Sequence, residues 1–245
     1  LFPPKEFNEK RGDSQLLGLL NQRHAQSRPG NSELEARIKA YEMAAKLQLS
    51  APEATSIEGE TAATRKLYQL TDEDVGPFGR QCLLARRFAE AGVRFVQVTH
   101  SYKWDAHSKV KENHSTNAAE VDRPIAGLVK GLKRLGLLDS TVVHWGGEMG
   151  RLPVVQNTRN AGRDHNTYGF SMWLAGGGFK AGHIHGETDE WGHRSVRDKV
   201  NHYDYHATLL QLFGLDHDHL KYKRGGRVQS LIDGQPARVL EELLA

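Results

Sequence analysis

The chain has 245 residues, 38% of them hydrophobic, and its 33 Lys and Arg against 30 Asp and Glu leave a net charge of +3. That length suits one large domain or two small ones. No apolar run approaches the roughly 20 residues that a membrane-spanning helix needs, and the interspersed charge offers no basic arm for nucleic acid. The single Cys82 cannot form an internal disulfide, so cysteine usage is silent on compartment. No signal peptide is visible. The chain opens at Leu1-Phe2-Pro3-Pro4 without a methionine, and the expectation is the back part of a longer protein.

In chain order, residues 12–50 read as helix. Leu16, Leu17, Leu19 and Leu20 give one apolar segment, and Leu34, Ile38, Tyr41, Ala45 and Leu49 keep helical spacing. Pro29-Gly30-Asn31-Ser32 breaks between them, with Ser32 and Glu35 as a capping box. Residues 50–64 are small and polar, a loop or linker. A helix is expected from Phe78 to Ala91. Val93-Arg94-Phe95-Val96-Gln97-Val98 reads as a strand, being rich in β-branched and aromatic residues. A helix over Ala118–Leu135 carries Val121, Ile125, Leu128, Val129, Leu132 and Leu135 on one face. Thr141–Trp145 and Phe170–Ala175 read as two further strands, and Asp204–Phe213 as a helix that Gly214 ends. Strands alternating with helices predict an α/β fold, a mostly parallel sheet flanked by helices. The organisation expected is a mainly helical segment and linker over residues 1–75, then an α/β portion over 76–245 that carries the site.

Twelve of the 13 histidines lie between His100 and His219 and come with carboxylates at ligand-like spacings. Neutral imidazole and carboxylate are the side chains that hold zinc, manganese or iron. Asp105 and His107 follow the first expected strand, and Glu148 and Arg151 follow the second. Open α/β sheets bind ligands outside the carboxyl ends of their strands. Asp164 and His165 precede the third strand, and the Leu152–Asn166 connection is long enough to bring them back over the site. Two residues apart on an extended segment, Asp105 and His107 point to the same side. Asp164 and His165 point apart; they serve two metals, or one supports the other's metal from behind. Each pair alone is a weak signal, since Asp-x-His and Asp-His also cap turns. Three such elements after successive strands raise it. His183, His185 and His193 read as loop histidines, and His217 and His219 as a turn.

The same residues carry a resemblance. The segments Phe78–Arg87 and Ala91–Val96, Trp104-Asp105-x-His107, Gly146-Gly147-Glu148-x-Gly150-Arg151, Gly162-Arg163-Asp164-His165-Asn166, Ala175-Gly176-Gly177-Gly178-x-Lys180, Thr188-Asp189-Glu190 and Asp204-x-His206-Ala207-Thr208 stand in colinear order. Together they resemble the bacterial sulfatase-like family known as domain of unknown function 1501, which is similar to a branch of the alkaline phosphatase superfamily. The resemblance implies the C-terminal portion of an exported protein whose full chains begin with a twin-arginine signal and a Gly-Gly-x-Ser segment.

It also implies a chemistry. In the superfamily's hydrolases, divalent metal holds a phosphate or sulfate ester and a Ser, Thr or formylglycine attacks in line. Asp105 and His107 resemble its metal-binding Asp and His, at a shorter spacing than the usual Asp-x-x-x-His. Glu148 stands where an Asp-His pair is usual, with Met149 in the His place. His165 resembles the late His that returns to the first metal, and Arg151 is suited to hold an anionic oxygen. Asp204-x-His206-Ala207-Thr208 resembles a structural turn, so His206 is not expected to ligate. The nucleophile is not found in this chain. The expected ligand set is Asp105, His107, Glu148, Asp164 and His165, for zinc, manganese or calcium. Two functions stay open: a metal-dependent hydrolase of sulfate or phosphate esters, acting on an anionic ester or sulfated polysaccharide, and a non-catalytic sulfatase-like binding or envelope protein with a degenerate site. The chain alone is expected to be inert.

Overall fold

A computed structural model describes residues 11–245 except 101, 157 and 233. The chain divides into two compact units, Leu1–Thr61 and Ala62–Ala245.

The first unit holds helices α1 (Arg11–Gln26) and α2 (Ser32–Thr55). The break between them falls at Pro29-Gly30, where the sequence placed it. The cap is not Ser32. Asn31 stands one residue before the helix, and its Oδ1 accepts from the Leu34 N–H at 3.0 Å. Asparagine is as good an N-cap as serine, and its position just outside the helix decides between them. Helix α2 runs on through 50–55, into the stretch expected to be loop.

The second unit opens with the short helix α3 (Ala62–Leu67) and then α4 (Gly76–Glu90) and α5 (Val110–Arg134). Pro77 suits the first turn of α4, where its missing N–H costs nothing. Helices α4 and α5 pack on one another around Tyr68, Phe78, Cys82, Leu83, Val121 and Leu132, all buried. Burial pushes the Cys82 thiol up to about 12. Helix α6 (His202–Leu212) begins at a capping box: Asn201 Oδ1 accepts from the Asp204 N–H at 2.9 Å, and Asp204 Oδ2 accepts from the Asn201 N–H. Asp204 is buried, and its other oxygen accepts from the Arg238 N–H at 3.0 Å. Thr208 Oγ donates to the Asp204 carbonyl and accepts from the Leu240 N–H at 2.9 Å. The Asp204-x-His206-Ala207-Thr208 motif thus ties the last segment of the chain to α6, and His206 is exposed.

The strands are short and pair antiparallel. β1 (Val143–Trp145) pairs with β4 (Trp173–Ala175), with Val143 opposite Ala175 and Trp145 opposite Trp173. β2 (Gly150–Arg151) pairs with β3 (His165–Asn166), β5 (Glu187–Thr188) with β6 (Ser195–Arg197), and β7 (Lys221–Arg224) with β8 (Arg227–Ser230). The fold mixes helix and strand as expected, but the mostly parallel sheet is corrected. The second and third expected strands form an antiparallel pair. Residues 93–99 form no strand, and Phe95 stands 80% exposed. Strand propensity measures fit to a paired, half-buried surface, and no strand among the described residues lies beside 93–99 to provide one.

Candidate metal centre

Two chain segments build the site. The first is the stretch after the 3-10 turn Tyr102–Trp104, which carries Asp105 and His107. The second is the β2–β3 pair, which sets Arg151 directly opposite His165. The loop between β2 and β3 closes over a base where the Leu152 N–H donates to the Asp164 carbonyl at 2.7 Å and the Gln156 N–H to the Gly162 carbonyl at 3.0 Å. Backbone bonds join the two segments. The Arg163 N–H donates to the Ala106 carbonyl at 3.0 Å, and the Val110 N–H to the Ala161 carbonyl at 3.3 Å. Gly162 is buried in this seam, and any side chain there would overlap the His107 carbonyl. The sequence therefore needs glycine at this point to let the two backbones meet.

Asp105, His107 and His165 converge, each offering a ligand atom within 4.8 Å of the others, and all three are exposed. One oxygen is the focus. Asp105 Oδ1 lies 3.0 Å from His165 Nε2, 3.1 Å from His107 Nε2 and 3.4 Å from an Arg151 terminal nitrogen. The bond from His165, followed by the positive charge of His107 and Arg151, holds the Asp105 carboxyl below its ordinary range. His107 Nδ1 donates to Gln156 Oε1 at 2.8 Å. That bond, followed by attraction to Asp105 and Asp164, raises the His107 pKa. It also fixes the ring: with the proton on Nδ1, a neutral His107 turns the Nε2 lone pair toward the Asp105 carboxylate. Two electron-rich atoms about 3 Å apart require a proton or a cation between them.

The other expected ligands stand outside the trio. Glu148 is exposed and pairs with Arg151 at 3.2 Å, and that pairing lowers its pKa after a bond to its own backbone. Asp164 Oδ1 accepts from the His165 N–H at 2.7 Å, so its carboxylate braces the backbone of His165. Arg151 bridges Glu148 and Asp105. Asn166, after His165, is 1% exposed and donates to the His193 carbonyl at 2.8 Å, anchoring β3 from beneath. Gln156 was not legible as a site residue, because it lies in an irregular loop at no regular spacing from His107. His219 pairs with Asp216 at 2.6 Å in the expected turn.

The family model "Protein of unknown function (DUF1501)" matches residues 3–244. The chain belongs to this family. The motif order from Phe78 to Thr208 thus read the family correctly. No curated protein and no solved structure matched the chain. No helix among the described residues is long and apolar enough to cross a membrane.

Proposed function

We propose that the DUF1501 chain is sulfatase-like, of the alkaline phosphatase superfamily, and contributes a divalent-metal site to the hydrolysis of a sulfate or phosphate ester. The observation that carries this is the meeting of His107 Nε2, His165 Nε2 and Arg151 on one oxygen of Asp105. One carboxylate and two imidazoles suit zinc or manganese. They do not suit calcium, which takes six to eight oxygens. Asp105, His107 and His165 would hold the ion. When bound, it supplies Lewis-acid stabilisation of an ester oxygen. Gln156 keeps the His107 ring oriented, and the Asp164 carboxylate does the same for His165 through its backbone N–H. Arg151, beside Asp105 at 3.4 Å and Glu148 at 3.2 Å, would offer its planar fork to an anionic oxygen of the ester. The proposal assigns no nucleophile to this chain. It includes an anionic ester or sulfated polysaccharide as substrate, and export from the cytoplasm.

A second reading keeps the metal and drops the reaction: a binding or envelope protein with a reduced site. Met149 where the resembled superfamily has histidine, and Glu148 engaged by Arg151 outside the trio, favour it. One experiment orders the readings. The purified chain is loaded with zinc or manganese, its metal content is measured, and sulfate and phosphate monoesters are tested for turnover. Metal bound by the wild type and lost in Asp105→Ala and His165→Ala supports the centre. Turnover that vanishes in Asp105→Ala shows that the reaction is complete in this chain. Metal and sulfate binding without turnover supports the second reading. Metal content equal in wild type and both variants sinks the site.

A further inference from the structure

We infer that Asn117 of α5, through the Lys103 carbonyl, and Glu120 of α5, through His100 and Trp104, are positioning residues for the metal centre; the inference rests on the metal reading above. The three ligand side chains are exposed, so their own burial cannot hold them at ligand spacing. Their neighbours do so. Asp105 lies between Trp104 and Ala106, and both are anchored. Ala106 is 4% exposed and its carbonyl takes the Arg163 N–H, which joins the turn to the His165 segment. On the other side, Asn117 is 3% exposed and its Nδ2 donates to the Lys103 carbonyl at 2.9 Å. A buried amide spent on one carbonyl fixes the backbone of the 3-10 turn just before Asp105.

Glu120 fixes the side-chain layer of the same turn. The Trp104 indole N–H donates to His100 Nδ1 at 2.9 Å. His100 Nδ1 is therefore the acceptor, the ring proton sits on Nε2, and Nε2 donates to Glu120 Oε2 at 2.8 Å. Lys103 Nζ donates to the same carboxylate at 2.6 and 2.8 Å. The His100 and Glu120 side chains are only 8% and 16% exposed. The Trp104 ring is flanked by His100, His114 and Trp145, with centroids 5.9, 5.4 and 5.9 Å away. One glutamate thus sets the His100 tautomer, the Trp104 ring and the Lys103 side chain, and the next residue along is the ligand Asp105. Groups behind metal ligands orient them, and their loss typically costs 10–100-fold in affinity.

Zinc titration of the whole chain by calorimetry tests this, with cobalt absorption reporting ligand geometry. Asn117→Ala and Glu120→Ala should each weaken zinc about 10–100-fold and alter the cobalt spectrum. Glu120→Gln, which keeps an acceptor for His100, should recover most of the affinity. Leu132→Ala is the control for mere destabilisation: it removes a 2% exposed side chain of α5 outside the network. It should lower the melting temperature and leave zinc affinity and the cobalt spectrum as they are. If Glu120→Ala does not fold, Asn117→Ala carries the test. Wild-type affinity in both alanine variants overturns the inference while leaving the metal centre standing. So does an equal loss in Leu132→Ala. A wild-type chain that takes up neither zinc nor cobalt overturns the metal reading and the inference with it.

Discussion

The two units differ in what their apolar residues accomplish. In the Leu1–Thr61 unit no described side chain is buried, and Leu16, Leu17, Leu19 and Leu20 are each more than half exposed. In the Ala62–Ala245 unit, α4 and α5 bury Cys82, Leu83 and Leu132 to 2% exposure or less. Both units have helices with apolar periodicity. Periodicity creates a face, and only a partner surface turns that face into a core. The Asp105, His107 and His165 cluster, the proposed metal centre, lies in the unit with the core, on segments anchored to α5 and to buried Asn166.

The largest expected effect tests that contrast directly. Leu83→Ala should cost about 2–5 kcal/mol, as for a fully buried leucine, whereas Leu19→Ala should stay within about 0.5 kcal/mol. Denaturant unfolding measures both. The single Cys82 adds a local probe, because its burial and raised pKa keep the thiol unreactive until the unit opens. Labelling of Cys82 should accelerate in Leu83→Ala. Equal costs at Leu83 and Leu19 would erase the distinction between the units.

Gly162→Ala sharpens the contrast inside the second unit. The added methyl overlaps the His107 carbonyl in a buried seam, and overpacking of this kind costs about 1–3 kcal/mol. Zinc binding should fall more than stability does, because the displaced segment carries His107. A variant with unchanged zinc affinity would show that the seam does not set the ligand spacing.

A smaller effect is expected at the start of α6. Asn201→Ala removes the Asn201 half of the capping box and should cost about 1 kcal/mol, seen as a lowered melting temperature. A neutral result would mean that the Asp204–Arg238 and Thr208–Leu240 bonds fix this helix without its cap.

The smallest effect is a pH dependence. The bonds from Lys103 and then His100 hold Glu120 below its ordinary pKa. A carboxylate depressed in the folded state binds its proton less readily there than when unfolded. Its stabilisation is therefore complete above the unfolded pKa and is lost as pH falls through the folded one. Melting temperature followed from pH 6 down to about pH 3, across the ordinary Glu value, should decline less steeply in Glu120→Gln than in the wild type. Parallel curves would remove Glu120 from the account of acid stability.

Much of this molecule was legible because it depends on neighbours in sequence. The helices over 11–26, 76–90 and 202–212, and α5 from Ala118 onward, follow apolar spacing within each segment, whereas the first two turns of α5, 110–117, lie ahead of the expected start. Asp105 and His107 were legible as a pair because two residues on an extended segment share a side, and His165 because its motif follows theirs in order. The β7–β8 hairpin was missed although Gly225-Gly226, both at positive φ, is a turn signal between alternating residues. The flanking Lys221–Arg224 and Arg227–Ser230 are mostly charged or polar, which hid the strands.

Tertiary structure decided the rest, because pairing and convergence are made between segments far apart in the chain. Val93–Val98 has strand composition, yet hydrogen-bonded pairing requires a neighbour that no local pattern specifies. Thr141–Trp145 and Phe170–Ala175 have the same composition, and only their meeting decided that β1 and β4 run antiparallel. Glu148 and Asp164 carry the same carboxylate as Asp105. Glu148 turns to Arg151, Asp164 to the His165 backbone, and Asp105 alone faces both imidazoles. Sequence by itself determined the family, the helices and which side chains could bind a metal. The fold decided which of them meet, because ligation depends on distances of a few ångströms between residues up to 60 positions apart.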